Sequence, residues 1–158
     1  DYVKIDKWDT WSMDHTLSYI ILPMLKQLRS NRMGSALVDL EDVPEELRIT
    51  SHEDWSDQKK FDFYDEDEVE YNLVEKRWDY VLDEMIFAFE HKIDDSWEDA
   101  YRSGEHDIQW KKLENGCSEM LHGPNDTYKC DYEGIAKVNE RIQNGFRLFG
   151  KYYQNLWD

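Results

Sequence analysis

The chain has 158 residues, a formal charge of −17, and 15% aromatic residues that include seven Trp and ten Tyr. Its length fits one domain, and so many aromatics supply a core, which excludes a disordered chain although 35% of residues are charged. The acidity argues against general nucleic-acid binding and against anionic membrane surfaces, both of which need clustered Lys and Arg.

The first periodic stretch spans 12–32, where Met13, Leu17, Ile20, Ile21, Met24 and Leu28 recur at helical spacing on one predicted core face. Thr10 or Ser12 is placed to cap this helix, Asp14 sits in its first turn, Pro23 predicts a kink and Gly34 its end. Residues 39–70 differ in kind, with fourteen acidic against three basic side chains. Val43-Pro-Glu-Glu-Leu opens there like a short helix, and the rest reads as a solvated, mobile connection.

A second helix is predicted over 67–101. Val74, Trp78, Val81, Leu82, Met85, Phe89, Ile93 and Trp97 form its core stripe, and Asp79, Asp83 and Glu90 lie along one border. Between 107 and 131 the period shortens to that of strands, with Asn115-Gly and Gly123-Pro-Asn-Asp as turns. Cys117 and Cys130 flank this predicted hairpin and are too few for a disulfide scaffold. The last helix covers 132–156, with Ile135, Val138, Ile142, Phe146, Phe149, Tyr153 and Leu156 inward. Gly145 falls inside that stripe, where a missing side chain lets another helix approach closely. The expected fold is mainly α, a single domain of three long packed helices with a small antiparallel β-hairpin element before the last one. No apolar run reaches the ~20 residues of a membrane span, and no signal-peptide pattern opens the chain, so a soluble cytoplasmic protein is expected.

Few residues suggest chemistry. Asp14 borders the face of Ile21 and Leu25 and is predicted to be partly buried, held by N–H groups, an Arg such as Arg141, or a ligand. Asp79, Asp83 and Glu84 with Asp14 form a candidate helical carboxylate set for Mg²⁺ or Mn²⁺, as in metal-dependent phosphohydrolases. Glu119-x-x-His122 lies in the predicted hairpin, where it does not fit such a set. No nucleophile elbow, phosphate-binding loop, zinc spacing or dinucleotide fingerprint occurs. Arg141, Arg147 and Lys151 stand on a slightly basic last helix and suit either acidic partners within the fold or the negative groups of a ligand. Trp11 or Trp78 is placed to stack on such a ligand. Trp8, Trp55, Trp110 and Trp157 also fall outside the clearest stripes, as edge packing or partner anchors.

The segments Trp8-Asp-Thr-Trp-Ser-Met-Asp-His-Thr-Leu, Leu22-Pro-Met-Leu-Lys-Gln-Leu, Glu41-Asp-Val-Pro-Glu-Glu-Leu, Arg77-Trp-Asp-Tyr-Val-Leu-Asp-Glu-Met-Ile-Phe-Ala-Phe-Glu and Arg141-Ile-Gln-Asn-Gly-Phe-Arg-Leu-Phe-Gly-Lys-Tyr-Tyr carry a resemblance across nearly the whole chain. They resemble a family of small accessory proteins of tailed bacteriophages and marine viral metagenomes. The resemblance implies a viral origin and carries over no catalytic residue. The leading expectation is therefore a non-enzymatic binding protein acting in host takeover or counter-defence, with no cofactor, that blocks a host protein or sequesters a small nucleotide-like signal. Two alternatives stand beside it: an acidic nucleic-acid mimic working through 39–70, and the metal-dependent phosphohydrolase. An exposed helix face on so aromatic a chain would also suit a homo-oligomer.

Overall fold

A computed structural model describes residues 4–48 and 66–157. Three helices, α1 (Met13–Asn31), α2 (Glu66–Ile93) and α3 (Tyr132–Lys151), are packed together, and four short antiparallel strands precede the last of them in the chain. The fold is mainly α, as the hydrophobic periods predict. The contacts group the chain into two compact units, 1–93 with 141–158, and 94–140, so that α3 contributes to both. No helix among the described residues is long and apolar enough to cross a membrane.

In the first unit α1 and α2 run antiparallel. Asp14 near the start of α1 meets Lys92 near the end of α2, whereas Arg29 near the end of α1 meets Asp79 and Asp83. The core comprises Leu25, Trp78, Val81, Leu82, Met85, Phe89, Leu148 and Tyr152. Gly145 sits where predicted, against α2: a Cβ there would lie 2.4 Å from the Glu84 carbonyl oxygen and 2.5 Å from the Ala88 Cβ. Two phenylalanines of α3, Phe146 and Phe149, meet Phe89 edge-on with centroids 5.2 and 5.1 Å away.

Helix α1 is rotated from the predicted orientation. Its inner face is Ser18, Ile21, Leu22, Leu25 and Leu28, while Met13, Leu17, Ile20 and Met24 of the predicted core stripe are 41–65% exposed. The physical reason is that α1 is apolar over more than half its circumference, so periodicity alone does not choose a side. The cations Lys26, Arg29 and Arg32 choose it by pairing with α2. The helix passes through Pro23 uninterrupted and ends at Asn31, before Gly34, where Arg32 turns extended while its N–H still donates to the Leu28 carbonyl. Ser12 occupies the cap position without a side-chain bond.

Helix α2 stops at Ile93, eight residues before its predicted end at Tyr101. Asp94 and Asp95 oppose the negative end of the helix dipole, and the Asp94 carboxylate accepts the Ser96 N–H in a turn that competes with further helix. A 3-10 turn, Ser96–Tyr101, follows and carries Trp97 in place of the α2 stripe. The predicted short helix near Val43 is likewise a 3-10 turn, Glu45–Leu47, preceded by Pro44. Residues 49–65, with Trp55 and much of the acidic connection, lie outside the described residues.

The second unit carries two two-stranded antiparallel sheets, which together form a β-ribbon along the chain. Strand β1 (Arg102–Ser103) pairs with β4 (Lys129–Cys130), and β2 (Ile108–Lys112) pairs with β3 (Ser118–His122). Strand β4 falls within the stretch 107–131 where strands are expected, whereas β1, only two residues long, lies outside it. At the ribbon tip the Leu113 N–H donates to the Cys117 carbonyl, and Gly116 takes φ +83°, which only glycine adopts freely. Cys117 beside this tip and Cys130 in β4 are both free thiols. Asp131 starts α3, its carboxylate accepting the Gly134 N–H and its carbonyl the Ile135 N–H.

Candidate functional site

Four of the residues proposed from sequence as metal ligands are carboxylates, and each meets a cation of its own chain. Asp79 and Asp83 face α1, where Arg29 lies 3.1 Å from the first and 2.9 Å from the second, and Arg32 also pairs with Asp79. Glu90 continues the row with Lys26 at 2.6 Å. The spacing of Lys26, Arg29 and Arg32 by three was the sequence signal for this seam. Glu84 points the other way, toward α3. Asp14 is exposed rather than partly buried as predicted, because the end of α2 reaches it with a flexible Lys92 at 2.5 Å instead of covering it. That ammonium holds the Asp14 carboxyl below its ordinary range. The set is thus divided among three places, and the geometry gathers no common metal position from it.

Glu84 is buried, with its side chain only 7% exposed, and Arg141 grips it from α3. The Arg141 Nε donates to the two carboxylate oxygens at 3.1 and 3.0 Å, and Nη2 adds a 2.6 Å bond. The guanidinium also lies 3.7 Å from the Phe87 ring centroid. This pair was legible only as a general match between a basic α3 and acidic helices.

The densest polar cluster joins the turn at Leu40–Asp42 to the end of α3. Lys151 Nζ lies 2.7 Å from Asp39, 3.1 Å from Glu41 and 2.6 Å from Asp42. These three carboxylates are near enough to one another to hold a metal ion, yet the ammonium supplies their counter-charge from within the chain. Asp42 is the buried member; it also takes Arg147 at 2.7 Å and the Tyr152 hydroxyl at 2.7 Å. The same Tyr152 oxygen accepts the Asp39 N–H. Burial pushes the Asp42 carboxyl upward, but Lys151, Tyr152 and Arg147 outweigh it and hold it below the carboxylate range. Burial and the Asp42 bond push the Tyr152 phenol up to about 12, and the carboxylates raise Lys151 well above an ordinary ammonium.

A carboxyl depressed by folding adds stability above its unfolded pKa and loses it as pH falls through the lowered value. Asp42→Asn is therefore expected to cost about 2 kcal/mol at pH 7, with wild type and variant converging as the pH falls through the lowered value. Urea unfolding across that range measures it.

Of the expected stacking residues, Trp78 is 2% exposed in the core, edge-on to Tyr152 at 5.8 Å, and Trp11 stands 84% exposed ahead of α1. Arg141, Arg147 and Lys151 each meet a carboxylate of their own chain, and their side chains stay 50%, 48% and 29% exposed.

The ribbon presents a different kind of surface. The register puts Ile108 opposite His122 and Trp110 opposite Met120, so these four side chains share one face. Ile108, Trp110 and Met120 are 43%, 67% and 49% exposed. The base of the ribbon is set by Asp126, whose Oδ2 lies 2.5 Å from His122 Nδ1 and whose Oδ1 accepts the Tyr128 N–H. His106 stacks on Tyr128 with centroids 3.8 Å apart. Alternation of Ile108 and Trp110 was visible in the sequence, but the pairing that gathers Met120 beside them needed the register. A scan against protein-family models and searches of curated proteins and of solved structures find no match to this chain.

Proposed function

We propose that this chain is a non-enzymatic accessory protein of a tailed phage that acts in the infected cell by occupying the surface of a host protein. The observation that carries the reading is the solvent-facing Ile108–Trp110–Met120 face of the β2–β3 ribbon. A Trp flanked by Met and Ile on an open ribbon is the anchor chemistry that binding surfaces concentrate. The polar residues that a phosphohydrolase or a nucleotide sponge would use are spent on one another, which favours contact over catalysis. The ribbon's unit carries twelve acidic residues against five basic ones, so the fitting partner is an apolar slot with a basic rim.

The test places a photo-crosslinking amino acid at Trp110, or at Gln109 on the opposite ribbon face, in phage-host cells. One host protein should be captured from position 110 and not from 109, and its purified form should bind Trp110→Ala at least ~10-fold more weakly than wild type. Equal capture from both faces, undiminished binding by Trp110→Ala, or Mg²⁺- or Mn²⁺-dependent hydrolysis of a nucleotide would overturn the reading.

A further inference from the structure

Helix α1 carries an apolar face that stays exposed among the described residues. Met13, Leu17, Ile20 and Met24 recur at spacings of four, three and four, and at about 100° per residue they fall within one narrow arc. All four are 41–65% exposed. From His15 to Leu25, eleven residues, α1 contains no Asp, Glu, Lys or Arg, in a chain where 35% of residues are charged. Turned about a two-fold axis midway between residues 18 and 19, the face maps onto itself: Met13 meets Met24, and Leu17 meets Ile20. That spacing and that alternation are those of an antiparallel coiled-coil seam.

We propose that this face is the two-fold interface of a homodimer, closed by α1 of a second copy running antiparallel. An isologous contact needs a self-complementary surface, and the mirror order of the four side chains provides one. The same geometry brings the segment leading into one copy's α1, which carries the exposed Trp8 and Trp11, beside the Met24–Ser30 end of the other. These six side chains offer on the order of 800 Å² per copy, which is what a standard interface covers. Charge decides against a foreign acidic or basic partner here, since the face offers neither sign. It also sets the salt response: two copies at −17 repel through the rest of their surfaces, and added salt screens that repulsion without weakening an apolar seam.

Sedimentation of the full chain should give twice the monomer mass at ~100 µM, with tighter association at ~0.5 M than at ~0.05 M NaCl. Leu17→Glu with Ile20→Glu should weaken association at least ~30-fold while far-UV spectrum and melting temperature of the monomer hold, because both positions face solvent in one copy. In a background with Cys117 and Cys130 changed to Ser, Leu17→Cys combined with Ile20→Cys should form an intermolecular disulfide, whereas Ile20→Cys alone should not. A monomer at the highest concentration, a dimer indifferent to the double Glu substitution, or efficient cross-linking by Ile20→Cys alone would each overturn the proposal. Its outcome is separate from that of the ribbon, since Trp110→Ala leaves α1 unchanged.

Discussion

Changing Arg141 to Met is expected to lower the unfolding free energy by about 2–3 kcal/mol, and adding Glu84→Met to that chain is expected to restore most of it. Glu84 lies in the contact between α2 and α3, with 7% of its side chain exposed and Arg141 as its three-bond partner. Removing the cation leaves a carboxylate that water barely reaches, and that uncompensated charge is the main cost. The value is set below that of a fully buried pair because half of the Arg141 side chain is in solvent. With both groups made apolar, neither desolvation penalty remains, and two thioether chains fill similar space. Urea melts of the four members of the cycle at pH 7 give the coupling directly; additive single effects would contradict it.

Two glycines of α3 should respond to alanine with opposite signs. In an open helix Gly→Ala stabilises by up to about 1 kcal/mol, and Gly150, with nothing within 4 Å of a built Cβ, should gain a few tenths of that at its place near the helix end. Gly145→Ala should instead cost about 2–3 kcal/mol and Gly145→Val more, since the new carbon would overlap the Glu84 carbonyl and the Ala88 side chain. The clash is with backbone, which cannot rotate away, so α2 and α3 must separate along the contact that also carries the Glu84–Arg141 pair. Thermal unfolding of Gly145→Ala and Gly150→Ala side by side checks it; a stabilised Gly145→Ala would mean that the helices are not in close contact.

Gly145 also shows what kind of feature was legible in the sequence. A glycine inside an apolar stripe has few explanations, and the structure has the one expected. The α2 stripe from Val74 to Ile93 was legible for a similar reason, since one face is apolar and its borders are charged. The orientation of α1 was not legible, because Ile20 and Ile21 are equally apolar and point to neighbouring faces. What fixed it was the fit of Lys26, Arg29 and Arg32 to Glu90, Asp79 and Asp83, a match between side chains 47 to 64 residues apart in the chain. Asp14 was misplaced for a related reason: a wheel gives its direction but not how far α2 extends beside it. The Asp39–Glu41–Asp42 grip on Lys151 escaped the reading because proximity across more than a hundred residues leaves no local trace. In each case the helices and strands followed from local pattern, and the pairing of charges between them did not.

The discontinuity of the first unit has a consequence for synthesis. Its core needs Leu148 and Tyr152, yet α1 and α2 are complete by Ile93. As the chain leaves the ribosome, the inner face of α2, with Val81, Leu82 and Met85, must wait while the contiguous ribbon segment is made. The first unit therefore closes only after residue 152 has emerged. During that interval the nascent chain is open to chaperones and to pairing with a neighbouring copy on the same message.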